Sequence, residues 1–398
     1  MTTLIKKYLK GDFVIWAVFI LLCLVSIVQM YSASSTLAFK ATNHSAPMLR
    51  HVSFLIFGGV IAFLVHLAPY KVIRICAYAG LLFSLVTLVI VPYVGVKEND
   101  AARWIEILGI QFQPSEIAKL SLIIFAADFI SRIKSRVHDE NRYFRTLLII
   151  TGVICALILR ENFSTAVLLF SVVYLMMFIG RISPKKLGIL AVVMVAAAVF
   201  GYFLLKAIPE EKLPGFLDRA STWVNRIDRK FEKADPDQKY VINDENLQVL
   251  HGKIAIARGG ITGVMPGNSV QRDFLPQAYS DFIYAIIVEE TGMIGGVVLI
   301  LFYMILLYRA GRIATMSKTV FPAILVIGLS LMIAMQALIS MAVATSLGPV
   351  TGQPLPLISR GGTSILITSI YFGILLGVTR QIKEDNLPKT EVILEEED

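Results

Sequence analysis

About ten apolar runs, separated by short charged loops, constrain this chain more than any other feature of its sequence. They fall near residues 13–30, 52–69, 73–94, 114–131, 146–160, 163–180, 187–208, 281–308, 320–347 and 362–380. An apolar stretch of roughly 20 residues has the length of a helix that crosses hydrocarbon. With 56% hydrophobic residues against 17% charged, and a mean hydropathy of +0.71, a soluble globular domain is excluded. The expectation is an all-α polytopic membrane protein built as a single transmembrane domain over residues 1–398.

The formal charge of +8 raises the question of nucleic acid, but its distribution answers it. Lys71 and Arg74, the group Arg132, Lys134, Arg136, Arg142 and Arg145, then Arg181, Lys185 and Lys186, and finally Arg309, Arg312 and Lys318 fall in alternate short loops. That is the pattern of cytoplasmic loops, so nucleic acid is not a partner. Both termini then lie in the cytoplasm, with residues 381–398 as a tail. Lys6, Lys7 and Lys10 before Phe13–Met30 resemble a signal peptide, and Ser32-Ala33-Ser34 resembles its cleavage site. The apolar run is too long for that, and a retained first helix is expected. Cys23, Cys76 and Cys155 all lie in apolar runs, at spacings that suit neither a disulfide framework nor a metal site.

Residues 209–280 form one long connection on the extracytoplasmic side, between helices seven and eight. Phe216, Ala220, Trp223, Val224, Ile227 and Phe231 recur at helical spacing with arginines on other faces, the pattern of a surface-lying amphipathic helix. A helix packed on the protein's own outer surface fits equally well. Residues 232–246 are polar, and Leu247, Leu250 and Ile254 indicate a second short helix stopped by Gly259-Gly260.

Three stretches carry charge or broken backbone into the apolar runs. In the first, Pro276 breaks any preceding helix and places Asp281 near the start of the next. Asp281 either caps that helix or acts as a general base at the membrane boundary. Glu289 and Glu290 follow two turns deeper, where carboxylates are costly and need a cation or a helix terminus; Lys119 is a candidate partner. In the second stretch, Glu116 and Lys119 stand three apart on one face of a helix that starts at Pro114. The pair is either structural or lines a polar cavity. Arg103, in the loop before it, is a free surface residue or a phosphate ligand. The third stretch, TGQPLPLISRGGTSIL at residues 351–366, has too many prolines and glycines for a helix. It is a plain re-entrant connection, or a turn whose amides and Ser359, Thr363 and Ser364 bind an anion.

Taken together, ARWIEILGIQFQPSEIAK, LPQAYSDFIYAIIVEETGMIGG and TGQPLPLISRGGTSIL resemble, in this order, three motifs of the SEDS family (shape, elongation, division and sporulation). The resemblance spans essentially the whole chain. It implies a peptidoglycan glycosyltransferase that polymerises lipid II at the outer face of the bacterial cytoplasmic membrane. It implies Asp281 as the catalytic residue and Glu116 and Lys119 as a polar pair in the central cavity, with Arg103 and Ser359 the further substrate-binding candidates. Gln113, Glu289 and Glu290 take supporting positions. A class B penicillin-binding protein and other divisome or elongasome membrane proteins are the implied partners. No metal-ligand cluster is visible, so Mg or Mn would bind largely through the substrate's pyrophosphate. The chain departs from the family pattern at Gln277, Tyr279 and Ser280 beside Asp281, at Asn162 where an acid is usual, and at Arg360. GNSVQR, residues 267–272, is closer to the division branch. A lipid II transporter and an idle transpeptidase scaffold are the competing readings.

Overall fold

In hydrocarbon a backbone finds no water to bond, so each apolar run satisfies its own amides and carbonyls by becoming a helix. The computed structural model describes residues 11–38, 46–98, 101–107, 110–135, 139–207, 247–275 and 278–386. In chain order its helices are α1 (Phe13–Ala38), α2 (Ala46–His66), α3 (Tyr70–Val94), α4 (Pro114–Ser135), α5 (Glu140–Glu161), α6 (Phe163–Ile179) and α7 (Pro184–Ala207). They continue as α8 (Leu247–Gly259), the single turn α9 (Gln271–Phe274), α10 (Ile283–Met316), α11 (Val320–Ala344) and α12 (Gly362–Asn386). Among the described residues, eight helices are long and apolar enough to cross a membrane. The charged α4 and the shorter α6 join them in one bundle, giving the expected ten. Helix α8 is the short helix that the spacing of Leu247, Leu250 and Ile254 indicated. The amphipathic helix expected over residues 216–231 lies outside the described residues.

A helix that carries charge along its length is the one buried in the middle. Helix α4 packs against α3, α5, α6, α11 and α12, and most of its length, including Glu116, Lys119 and Asp128, is buried. Its buried charges are therefore paired, as the cost of an isolated charge demands. Asp128 receives Arg74 Nε at 3.1 Å, Arg132 Nη2 at 2.7 Å and the Tyr78 hydroxyl at 2.6 Å. At α1, buried Asp12 binds Arg309 Nη2 at 2.9 Å and accepts the Val14 amide at 3.0 Å. Lys383 donates to the Gly11 carbonyl, Arg380 to that of Leu67 and Lys134 to that of Arg181. These bonds gather the basic loops at one end of the bundle, the arrangement the loop charges implied.

Between helices the attraction is packing, which favours small residues at the closest approaches. Along α2 and α12, a β-carbon at Gly373 would lie 2.7 Å from the Ala62 carbonyl oxygen, and one at Gly377 2.9 Å from that of His66.

Two features differ from the sequence reading. The loop before α4 is a three-stranded antiparallel sheet, β1 (Val96–Glu98), β2 (Ala101–Ile107) and β3 (Ile110–Phe112), in the order β1-β2-β3. Helix α10 starts after Asp281 and is broken at Gly292, whose φ of 72° and ψ of −177° are essentially restricted to glycine. Gly260–Met265 fills the break: the Val264 and Met265 amides donate to the Glu289 and Glu290 carbonyls at 3.0 and 2.9 Å, and the Met293 amide to the Gly260 carbonyl at 2.9 Å.

The Gly373→Val protein is expected to lose about 1–3 kcal/mol through overpacking of α2 against α12. A lowered thermal unfolding midpoint of the detergent-purified chain checks this.

Candidate functional site

The turn ahead of α10 is held by what it buries. Phe282, Leu275 and Ala278 pack with Ile286 and Val343 in a small apolar cluster of their own. Asp281, beside fully buried Phe282, stays half-buried. The Ser280 hydroxyl donates to Asp281 Oδ1 at 3.0 Å. The turn also lies along the 351–361 loop: the Arg360 amide donates to the Tyr279 carbonyl at 2.8 Å, and the Ser359 hydroxyl to the Ser280 carbonyl at 2.6 Å.

At the front of that loop, Gly352 has a φ of +67°. A β-carbon there would sit 3.5 Å from Asp281 Oδ2 and 3.6 Å from Arg103 Nη1. Arg103 on β2 and Asp281 thus converge on one bare stretch of backbone. Beside them, a cavity of about 10 Å³ lies between Arg103, Gln113, Ser115 and Asn162, room for a single water. The buried Ser115 hydroxyl has no protein partner. Its neighbour Asn162 caps α6, accepting the Thr165 amide on Oδ1 at 3.1 Å. An amide oxygen does this as well as a carboxylate, which is how this chain tolerates an asparagine there.

One layer below, Lys119 Nζ donates to Glu116 Oε1 at 2.6 Å and to Gln336 Oε1 at 3.0 Å. Lys119 is almost fully buried, so the pair faces the protein interior. The other end of the Gln336 amide donates to the Pro354 carbonyl at 3.0 Å, and Gln353 donates to the Thr165 hydroxyl.

Lys119 is therefore not the partner of either glutamate on α10. Glu289 takes Arg258 Nη1 at 3.3 Å, the Ser269 hydroxyl and the Val270 and Gln271 amides at 3.2 and 3.4 Å. Glu290 takes the Ser32 hydroxyl, Gln29 Nε2 at 3.4 Å and the Gly267 amide at 3.1 Å. Both side chains are fully buried, and both clamp the 267–272 loop to α10.

Ser359 also requires correction as a ligand-binding group. Its hydroxyl donates to the Ser280 carbonyl and accepts the Leu355 amide at 2.7 Å, so it acts as a strut. Thr363 likewise donates to the Gln111 carbonyl at 3.0 Å. Gln336, Gln353 and Arg258 escaped the sequence reading. Gln336 alone left a signal, an amide inside the apolar α11.

A family model described as "cell cycle protein", that of FtsW, RodA and SpoVE, matches residues 12–384. The chain belongs to the FtsW/RodA/SpoVE family. Relatives named "probable peptidoglycan glycosyltransferase FtsW" include those of Trichlorobacter lovleyi, 32% identical over 94% of both chains, and Coxiella burnetii, 29% identical over 94% of this chain and 98% of that one. Among solved structures, a chain described under "Structural coordination of polymerization and crosslinking by a peptidoglycan synthase complex" superposes with a TM-score of 0.72. It is 22% identical and covers 94% of this chain and 99% of that one. The rod shape determining protein RodA of Thermus thermophilus gives a TM-score of 0.64 at 22% identity, covering 93% and 97%. At such identity these two establish the fold that FtsW/RodA/SpoVE members share.

Within that fold, truncating Glu289 would leave two amides, a serine and an arginine around an emptied buried position. Because Arg258 is itself 40% exposed, the cost falls on the buried donors left without an acceptor, and Glu289→Ala is expected to destabilise the chain by about 1–3 kcal/mol. Thermal unfolding, with protease sensitivity of the 263–272 loop, measures it.

Proposed function

We propose that this chain is a peptidoglycan glycosyltransferase that polymerises lipid II at the outer face of the bacterial cytoplasmic membrane, with both termini in the cytoplasm. The observation that carries the reading is the convergence of Asp281 Oδ2 and Arg103 Nη1 on Gly352. It brings a carboxylate and a guanidinium together at the end of the bundle opposite the basic loops. The names of the full-length relatives support the reaction class.

The two carboxylate oxygens of Asp281 differ. Oδ1 receives the Ser280 hydroxyl, whereas Oδ2 faces the Gly352 backbone and Arg103. We assign Oδ2 as the base: it takes the proton of the acceptor's 4-hydroxyl as that oxygen bonds to the anomeric carbon of the donor glycan. The bond from that carbon to the pyrophosphate breaks, and undecaprenyl pyrophosphate leaves with the electron pair. Arg103 offsets charge gathering on the leaving group, the kind of electrostatic stabilisation that matters most where water is scarce. Gln113 supports the guanidinium's surroundings, and Glu116 and Lys119 form the floor beneath the substrate. Among the described residues no His, Cys, Asp and Glu cluster is arranged to hold a metal. Mg or Mn would enter on the pyrophosphate.

A class B penicillin-binding protein is the partner we assign, to cross-link the emerging strands, within the division machinery to which GNSVQR and the relatives' names point. Other divisome membrane proteins complete that assembly. The transporter reading leans on broken helices as ion or substrate sites. Here the groups freed at Gly292 are taken by Gly260–Met265, so the break carries no such site.

Purified chain with its transpeptidase partner should convert lipid II into glycan strands, and Asp281→Ala should lower kcat by about 10²–10⁴-fold, the usual contribution of a general base. Undiminished synthesis by a folded Asp281→Ala protein would sink the assignment. Ser280→Ala should cost about three- to tenfold through loss of one hydrogen bond, with Ser280→Thr restoring activity. Gly352→Ala, forced into a left-handed conformation and setting a methyl group against Asp281 Oδ2 and Arg103 Nη1, should lose more than Ser280→Ala in the same assay.

A further inference from the structure

Gln336 is buried in an apolar helix and belongs to no motif, yet both ends of its amide are engaged. Its Oε1 accepts from Lys119 Nζ, which can only donate; its Nε2 donates to the Pro354 carbonyl, which can only accept. The amide orientation is thereby fixed without ambiguity. Methionine would supply neither bond. Glutamate, ionised beside Lys119, would keep the lysine bond and turn an acceptor toward the Pro354 oxygen. Pro354 lies two residues from Gly352, the point on which Arg103 and Asp281 converge. The neighbouring Gln353 is fastened to Thr165 on α6, so the loop reads the position of α6 on one side and of α4, through Lys119, on the other.

We propose that Gln336 is a positioning residue that couples the Glu116–Lys119 ion pair to the loop bearing Gly352, so that the pair acts on the reaction through the loop and not by touching substrate. This deepens the glycosyltransferase reading and rests on it. It changes the place of Lys119 in that reading: the lysine sets the height of Pro354, and with it the gap between Asp281 and Arg103.

The experiment uses the full chain with its transpeptidase partner, comparing wild type, Gln336→Met, Gln336→Glu, Lys119→Met and the Lys119→Met/Gln336→Met double variant. Lipid II polymerisation gives kcat and KM, and amide hydrogen exchange of the 351–361 segment is followed in the same preparations. Both Gln336 variants should lower kcat by on the order of tenfold, with KM for lipid II nearly unchanged, the mark of lost transition-state positioning. Exchange at 351–361 should rise in both, while the rest of the bundle keeps its wild-type protection. The double variant should be no slower than the slower single variant, because both substitutions cut one strut. Multiplying effects in the double variant, a raised KM alone, or unchanged exchange at 351–361 would each overturn the proposal. Should Gln336→Met fail to purify folded, the near-isosteric Gln336→Glu carries the same comparison. Absence of polymerisation by wild type would count against the glycosyltransferase reading, while the exchange measurement would still decide whether Gln336 holds the loop.

Discussion

Everything at the site end of this bundle depends on keeping a non-helical loop at the depth of the helix ends. Residues 351–361 make only one turn's worth of internal backbone bonds, from the Ile358 and Ser359 amides to the Leu355 carbonyl, and hydrocarbon offers no water for the rest. Side chains and backbone from the surrounding elements take up their polar groups instead. Gln336 of α11 holds Pro354, the Tyr303 hydroxyl of α10 holds Pro356 at 2.7 Å, and Ser26 of α1, itself paired with His51 of α2, reaches Ile358 at 3.4 Å. The Asp281 turn supplies the carbonyls of Tyr279 and Ser280. A loop fixed from so many directions has one conformation available. That is the condition for Gly352 to keep its place beside both Asp281 and Arg103.

The second irregular segment is solved by a different device. The 260–272 stretch docks backbone to backbone into the break at Gly292, and the approach is so close that a β-carbon at Gly263 would lie 2.2 Å from the Glu290 carbonyl oxygen. Glu289 and Glu290 then collect the amides and hydroxyls that this stretch leaves over. Two buried carboxylates would be ruinous alone, but each is surrounded by donors. Their expense is offset by the order they impose on the segment leading to Asp281. Costly charges in a span thus serve here as fasteners for the functional loop.

Much of this was legible in the sequence. Apolar run length gave the helices, loop charge gave the common end of the basic loops, and the spacing of Glu116 and Lys119 gave their ion pair. Proline and glycine density marked 351–366 as broken. Partners across the chain were not legible, because they depend on how helices pack. The sequence offers Lys119 as a candidate partner for the α10 glutamates, whereas Arg258 reaches Glu289 only once α8 packs on α10. Ser359 suggested an anion ligand, but a serine beside unsatisfied amides and carbonyls is drawn to those first. The sheet from Val96 to Phe112 was missed because its strands are short and set in a stretch too charged to show alternation.

The ion pair beneath the site shows why its chemistry cannot be read from charge alone. Glu116 and Lys119 are buried deeply enough that the pair is no dependable source of stability; well-packed apolar residues often do as well. A lysine has three hydrogens to donate, however, and Glu116 accounts for one of them. The next goes to an amide that reverses the polarity and passes a donor on to a backbone carbonyl. A cation on one helix thereby holds a loop on the far side of another without placing its charge there. For a reaction in which misplacement by about 1 Å can cost a hundredfold, such a strut matters as much as the groups that meet the substrate.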